Sequence, residues 1–320
     1  MTGREFDVDA VLAGARDPVP EGHRSGLIAL CGRPNVGKST LLNHIVGEKV
    51  AIVTSVPGTT RNAIRGVLTR DDAQLVFLDT PGLAKPRTLL ARRLNALVRD
   101  TWAGVDLVCL LVDAAAGIGR GDRFLASELA GVDTPVVAVA NKIDRVADKM
   151  RLLPTLDELA GLMGPTRRFA EVVPVSAASG ENVDRLVELL VAKVPEGPRL
   201  LAPDRVSDQP ERHLAAEILR EKLIPRMEDE LPHSIAVTVD ELAPSVDHDD
   251  LVVVHATVHV ERESQKGIVI GRGGRTLKDA GTDARRELEV LFGTRVHLTT
   301  HVRVAKDWQR DPKQLRRLGY

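Results

Sequence analysis

Five short, nearly unbroken apolar runs punctuate the first two thirds of the chain: "GLIALC" (26–31), "LVFLDT" (75–80), "VDLVCLLVDA" (105–114), "TPVVAVAN" (134–141) and "AEVVPVSA" (170–177). They are rich in Val, Leu and Ala and do not alternate with polar residues, the signature of strands covered on both faces in a parallel sheet. Between them, apolar residues recur at helical spacing over Lys38–Val46, Leu89–Trp102, Gly121–Ala130, Leu153–Leu162 and Val183–Val194. Strand and helix in alternation predict an α/β domain, a doubly wound, mostly parallel sheet, over residues 25–198.

The pattern then changes. Val194–Pro210 carries four prolines and no periodicity, which predicts a linker over 199–210. Beyond it the chain reads as a helix from Arg212 to Glu230 and two alternating strands, "SIAVTVDELAP" and "LVVVHATVHVER". A glycine-rich turn, a helix from Arg275 to Leu291 and a last strand, "RVHLTTHVRV", follow. The order α-β-β-α-β predicts a second, α+β domain over 211–320. Residues 1–24 read as a largely disordered extension with no apolar core, so they are not a secretory signal.

Composition narrows the chemistry. The chain has 320 residues, a formal net charge of −1 and only 2% aromatic residues. A nucleic-acid surface must therefore be a local patch, and so few aromatic residues argue against base stacking on aromatic platforms as its main mode. Cys31 and Cys109 both lie within apolar runs and predict buried thiols in a reducing, cytoplasmic setting. No apolar run reaches the ~18–20 residues that span a bilayer. The nine histidines show no metal-binding spacing; His255, His259, His297 and His301 fall on strands as surface residues, and Trp308 reads as a packing anchor.

"GRPNVGKS" fits G-x-x-x-x-G-K-[ST], follows a predicted strand and opens a predicted helix, the context that identifies a phosphate-binding loop. Gly32, Arg33, Pro34, Asn35, Val36, Gly37, Lys38, Ser39 and Thr40 are its nucleotide-binding residues. Glycines aim consecutive N–H groups at phosphate, the helix N-terminus adds its dipole, Lys38 reaches the β- and γ-phosphates, and Ser39 offers a hydroxyl to Mg²⁺. "LDTPG" ends the next strand: Asp79 would hold Mg²⁺ through water, Gly82 N–H would meet the γ-phosphate, and Thr80 and Pro81 complete the loop. "NKID" supplies Asn141, Lys142 and Asp144; the Asp144 carboxylate can accept from guanine N1 and its 2-amino group, which adenine does not offer. "SAASG" supplies Ser176, Ala177 and Ala178, with the Ala177 N–H facing guanine O6. Each motif falls at the C-terminal end of a predicted strand, where open α/β sheets bind ligands.

At this point the sequence resembles the translation-factor-type GTPases. The resemblance implies binding and hydrolysis of GTP to GDP, with Mg²⁺. It also implies that Thr59 or Thr60 of "VPGTTR", with Thr60 favoured, completes the metal shell, so that Lys38, Thr60, Asp79 and Gly82 form the catalytic set. Leu83 stands where many GTPases place a water-orienting glutamine, so intrinsic turnover is expected to be slow. Asn35 resembles the asparagine with which related GTPases hold K⁺ beside the phosphates.

The second glycine turn, "GIVIGRGGRTLKDAG", has no Lys-Ser/Thr after it and is not a triphosphate site. Its Gly271-Arg272-Gly273-Gly274 core matches the G-x-x-G loop with which KH domains clamp about four nucleotides of single-stranded RNA. A bare helix-entry turn has the same spacing; charge distinguishes the two. Residues 261–320 carry 14 Lys and Arg against 8 Asp and Glu. Lys266, Gly267, Ile270, Gly271, Arg272, Gly273, Gly274, Arg275, Leu277, Lys278 and Arg285 are the candidate RNA-binding residues, beside Arg286. Bases would lie in an apolar groove of Ile268, Val269, Ile270 and Leu277.

"GRPNVGKSTLLN", "DTPGLAKPR", "ERESQKGIVIGRGG", "LKDAG" and the tail "DWQRDPKQLRRLGY" together resemble the Era family, a GTPase domain followed by one KH-type (type II) RNA-binding domain. The resemblance runs from Gly26 to Tyr320. It implies a monomer that binds the 30S subunit and the 3′ end of small-subunit ribosomal RNA, and a peripheral inner-membrane association that the sequence itself does not show. "LAKPR" and "VPGTTR" depart from the family's commoner forms, which bears on switch movement. Rival readings are an RNA-modifying or metabolic GTPase, which lacks its cofactor motif here, and an RNA scaffold with an inert pocket, against which Lys38, Ser39, Asp79 and Asp144 stand.

Overall fold

The computed structural model describes residues 18–56, 64–80, 89–165, 167–207 and 209–320, in two compact units. Residues 18–51, 64–80 and 95–207 form the first; 52–56, 89–94 and 209–320 form the second.

The first unit is built on β1 (Arg24–Gly32), α1 (Lys38–Val46), β2 (Ile64–Thr69), β3 (Ala73–Asp79), α2 (Leu89–Ala103, from Asn95 on), β4 (Leu107–Asp113), α3 (Arg120–Leu129), β5 (Val136–Asn141), α4 (Leu152–Ala160), β6 (Glu171–Pro174) and α5 (Val183–Lys193). The six strands lie in the order β2-β3-β1-β4-β5-β6. All neighbours are parallel except β2, which runs antiparallel to β3 with Ile64 opposite Asp79. The five apolar runs became β1, β3, β4, β5 and β6. β2, "IRGVLT", was not anticipated: it is short and its three apolar residues, Ile64, Val67 and Leu68, are interrupted by Arg65 and Gly66, too few to stand out.

Two apolar cores sandwich the sheet. Ile28, Leu30, Phe77, Cys109, Leu111 and Val139 meet α1 and α5 on one side; Ala29, Cys31, Val108, Leu110, Val112 and Ala138 meet α2, α3 and α4 on the other. Burial pushes the Cys31 thiol up to about 12 despite nearby Lys38, so it is packing material and no nucleophile.

The proline-rich stretch after α5 is fastened to this unit. Buried Gln74 on β3 accepts from the N–H groups of Leu200 (2.7 Å) and Leu201 (2.9 Å) and donates to Leu201 O (2.9 Å). Val67 N donates to Val206 O, and Ser207 Oγ to Arg65 O at 2.8 Å.

The second unit contains α6 (Glu211–Leu223), α7 (Leu231–Ser234), β7 (Ala236–Pro244), β8 (Leu251–Val260), α8 (Glu263–Ile270), α9 (Arg275–Phe292), β9 (Arg295–Val304) and α10 (Pro312–Arg317). Its sheet, β7-β8-β9, is antiparallel between β7 and β8 and parallel between β8 and β9. Val254, Ala256, Val258 and Val260 on one sheet face pack with Ile218, Leu219, Val269, Ala280, Ala284 and Leu288 from the helices. The expected first helix is shorter than foreseen, since Pro225 follows it in a single tight turn at Ile224–Arg226. The apolar stretch before the glycine turn is helical: the order is α-α-β-β-α-α-β-α, with a helix where a strand end was expected before the turn. Gln265 explains this locally, because its Oε1 accepts from Arg262 N (3.0 Å) and Glu261 N (2.9 Å) and so caps the start of α8.

The histidines divide. His297 and His301 are exposed, but His259 is buried and bonded to Thr238 (2.9 Å), which corrects its expected surface role. Trp308 is fully buried, with Nε1 donating to Ser234 O at 2.9 Å and its ring stacked on Tyr320.

Candidate nucleotide-binding and RNA-binding sites

β1 delivers the chain into the phosphate-binding loop and α1 receives it at Lys38. Gly37 has φ +101, and a β-carbon there would collide with the Asn141 amide; a β-carbon on Gly32 would come within 2.6 Å of Leu111 O. The two glycines of the motif are thus required by close backbone packing as well as by conformation. Lys38 is buried and donates to Gly32 O at 3.4 Å, its side chain curled back over the loop. Ser39 Oγ donates to Asp79 Oδ2 at 2.5 Å, and Thr80 Oγ1 ties the end of β3 to Leu30 O at 2.9 Å. The second Asp79 oxygen is buried with no partner among the described residues. Burial raises the Asp79 carboxyl, against the lowering pull of Lys38 and Ser39.

Asn141 joins three loops. Its Nδ2 donates to Val36 O (2.7 Å) in the phosphate loop, and its Oδ1 accepts from Ala177 N (2.9 Å). The Ala177 N–H expected against guanine O6 is engaged by Asn141 in this structure. Ala178 is exposed beside it. Ser176 Oγ donates to Asp144 Oδ1 at 2.6 Å and orients that exposed carboxylate. Lys142, at φ +66, donates to Asn35 O (2.5 Å) and Asp113 Oδ2 (2.7 Å). Burial would raise Asp113; the Lys142 ammonium and the N–H groups of Ala116 and Ala115 outweigh it and hold the carboxyl low.

Asn35 and Pro34 are exposed at the loop's tip; Val36 is buried beneath it, and Thr40 is half-buried in the first turn of α1. Arg33 turns elsewhere. Its Nε donates to buried Asp122 at 2.8 Å and its Nη2 to Gly117 O at 3.3 Å, so it fastens the loop to the start of α3. Thr59, Thr60, Pro81, Gly82 and Leu83 lie outside the described residues. Three positioning residues escaped sequence reading: Asp113, Asp122 and Asn43, whose side chain holds Val50 N, Ala51 N and Ala51 O. None belongs to a short motif; Asn43 had a signal only in lying just past the loop on α1.

In the second unit, Gly271-Arg272-Gly273-Gly274 joins α8 to α9. Gly271 (φ +76) is sterically required, since a β-carbon there would strike Thr276. Gly273 (φ +58) and Gly274 (φ +78) face open space, as a surface that admits a polymer backbone should. Arg272, Arg275 and Lys278 are exposed; Lys266 lies 3.7 Å from Glu263, and Arg285 2.6 Å from Glu289. Gly267 lies inside α8 with open space above it. The expected apolar groove needs correction: Val269 is fully buried in the core, while Ile268 is exposed and Ile270 and Leu277 are half-buried.

Comparison with known proteins follows this geometry. The family model "50S ribosome-binding GTPase" matches residues 27–142, and the model "KH domain" matches 230–309. GTPase Era of Streptomyces coelicolor is 50% identical over 312 residues, covering 96% of this chain and 98% of its own. GTPase Era of Mycolicibacterium smegmatis is 49% identical over 299 residues, 93% and 99% of the two chains. A crystal structure of an Aquifex aeolicus Era variant bound to GDP and AlF4⁻ superposes with TM-score 0.88 at 38% identity, covering 93% of this chain and 99% of that one. Era in complex with MgGDPNP and nucleotides 1506–1542 of 16S ribosomal RNA superposes with TM-score 0.89 at 37% identity and the same coverage. A GTP-binding sheet edge, a KH unit and half-identical relatives over nearly the whole length agree: the chain is a GTPase of the Era family.

Proposed function

We propose that this GTPase is an assembly factor of the small ribosomal subunit, which binds the 3′ end region of small-subunit rRNA through its KH unit in the GTP state. The observation that carries this reading is the co-occurrence of a phosphate loop, Asp79 and Asp144 at one sheet edge with a G-x-x-G turn open to a polymer. The relative solved with nucleotides 1506–1542 of 16S rRNA and MgGDPNP supports both ligands.

On the nucleotide side, the loop N–H groups and Lys38 neutralise the phosphates, and Asp144, fixed by Ser176, selects guanine. A magnesium ion fits the residues present: one Asp79 oxygen is buried without a partner among the described residues, the other meets Ser39, and the donors are all hard oxygens. Ser39 and Asp79, with Thr60, would hold it. It would supply charge neutralisation at the β- and γ-phosphates. Asn35 presents its amide at the exposed loop tip, its own carbonyl already bound by Lys142, and would take K⁺ there; equal turnover in K⁺ and Na⁺ would refute that part. The reading further expects a monomeric, cytoplasmic protein with a peripheral association at the inner membrane, checked by sedimentation and vesicle flotation. Among the described residues, no helix is long and apolar enough to cross a membrane.

The test is co-sedimentation of the full chain with separated 30S and 50S subunits, with non-hydrolysable GTP analogue or GDP. Binding to 30S that GDP weakens is the expected result. Preference for 50S, or indifference to nucleotide, refutes the proposal.

A further inference from the structure

The outer arm of the phosphate loop, Arg33-Pro34-Asn35, is held in a costly backbone shape. Asn35 has φ +63, in the left-handed region that a β-carbon disfavours, least so for Asn. Such conformations persist where the surroundings over-determine them, and they gather at reactive centres. Asn35 is exposed, so burial does not fix it. Tethers along the loop do. Beyond it, Asn141 Nδ2 donates to Val36 O at 2.7 Å. At Asn35 itself, Lys142 donates to the carbonyl, and Asp113 holds the same ammonium at 2.7 Å. Before it, Arg33 is drawn away to Asp122.

The seat of Arg33 is shaped for a guanidinium. Asp122 is fully buried in the first turn of α3, where the helix dipole favours a carboxylate. It accepts from Arg33 Nε at 2.8 Å and from Gly119 N at 2.8 Å. Arg33 Nη2 reaches Gly117 O at 3.3 Å. The arginine stem lies over two bare glycines. A β-carbon on Gly121 would come within 2.6 Å of Arg33 Cδ, and one on Gly119 within 3.1 Å of its Nη1. Neither glycine takes a left-handed backbone, so what their missing side chains supply is room for Arg33.

Asp113 and Asp122 stand at the two ends of one segment, which leaves β4 and enters α3. That segment therefore braces the loop tip through two carboxylates, one by way of Lys142 and one by way of Arg33. Backbone N–H groups stabilise charge that develops in a reaction only when they are aimed beforehand. A small misplacement at the tip consequently costs turnover more than it costs binding.

We propose that Arg33 and Asp122 are positioning residues for GTP hydrolysis: their buried ion pair holds Asn35 in its left-handed conformation and so aims the N–H groups of the loop tip at the phosphates as they react. Arg33 acts through the loop and not on the nucleotide, since its charge is taken up by Asp122.

The test is GTP hydrolysis by the full chain, in steady state and in single turnover, beside GDP affinity and thermal denaturation. Gly121→Ala changes no charge and places a better helix former in α3, yet it fills the channel of Arg33. It should lower kcat by about 10- to 100-fold with GDP affinity within about threefold of wild type and no fall in melting temperature. Arg33→Gln, which leaves Asp122 in place on α3, should match it, and Arg33→Lys, which keeps the charge, should lose less. Gly121→Ala combined with Arg33→Gln should lose no more than either alone, because both act through one contact. Wild-type turnover in both Gly121→Ala and Arg33→Gln overturns the proposal. So do additive losses in the double variant. A fall in kcat matched by an equal loss of GDP affinity or by a lower melting temperature also overturns it, and leaves the pair a structural fastening only.

Discussion

Asn141→Ala isolates the joint between the phosphate and base ends of the nucleotide site. The side chain is 1% exposed and makes two buried bonds, to Val36 O and from Ala177 N. Its removal orphans one carbonyl and one N–H, each costing about 1–3 kcal/mol if it stays dry. In the nucleotide-free protein the loops can relax and hydrate these groups. Bound nucleotide forces both loops back into register, so at least one such penalty falls on binding. About 1–3 kcal/mol is roughly a 5- to 150-fold loss of GDP affinity. Asn141→Asp divides the effect: it keeps the acceptor for Ala177 N but sets a carboxylate oxygen against Val36 O, and should be at least as damaging. Displacement titrations with a fluorescent GDP analogue read the affinity, and thermal denaturation with and without excess GDP separates binding from folding. Affinity for GDP within twofold of wild type in the alanine variant would refute the reasoning.

Asp144→Asn should lower GTP affinity by more than about tenfold, because an amide can accept only one of the two guanine donors; competition between GTP and ATP reports the loss of discrimination. The two glycines of the RNA turn should separate. Gly271→Ala should destabilise the second unit strongly, since its β-carbon meets Thr276, whereas Gly273→Ala meets open space and should cost only about 1–2 kcal/mol, the penalty of a left-handed non-glycine residue, and Gly273→Asp should lose RNA while GTP binding stays nearly intact. His259 is held low by burial, with Arg317 and Arg303 reinforcing it against Asp240. Its folded value lies below its unfolded one, so its contribution to stability is complete above the unfolded value and is lost as pH falls through the folded one. Urea unfolding of the second unit should show that loss on the acid side of neutrality, and His259→Gln should flatten it.

The legible parts of the molecule were those in which one physical demand dominates. Strands buried on both faces must be apolar throughout, so β1, β3, β4, β5 and β6 stood out, and a loop that cradles phosphate must combine Gly, Lys and Ser at fixed spacing. α8 was hidden because "GIVI" is glycine followed by β-branched residues, an extended signature; only Val269 faces the core, and the cue lay upstream in Gln265. Arg33 was misleading for a related reason. Its place in the motif suggests phosphate, but a buried carboxylate 89 residues away, Asp122, takes its charge. Asn141 could be named from its motif, yet its office as a brace became visible only when Val36 and Ala177 were seen on either side of it.

The bonds from Gln74 have a consequence for the newborn chain. A polypeptide leaves the ribosome from its N-terminus, and β3 is made long before the segment that closes over it. Until Leu200 and Leu201 emerge, the Gln74 amide has no main chain to hold, and β2 waits for Val206 and Ser207, the latter bonded to a residue 142 positions earlier. Chains released before this point should be open along that edge and prone to pairing with one another. The GTPase unit thus matures only as synthesis of the KH unit begins, which delays its action until the RNA-binding half is close behind.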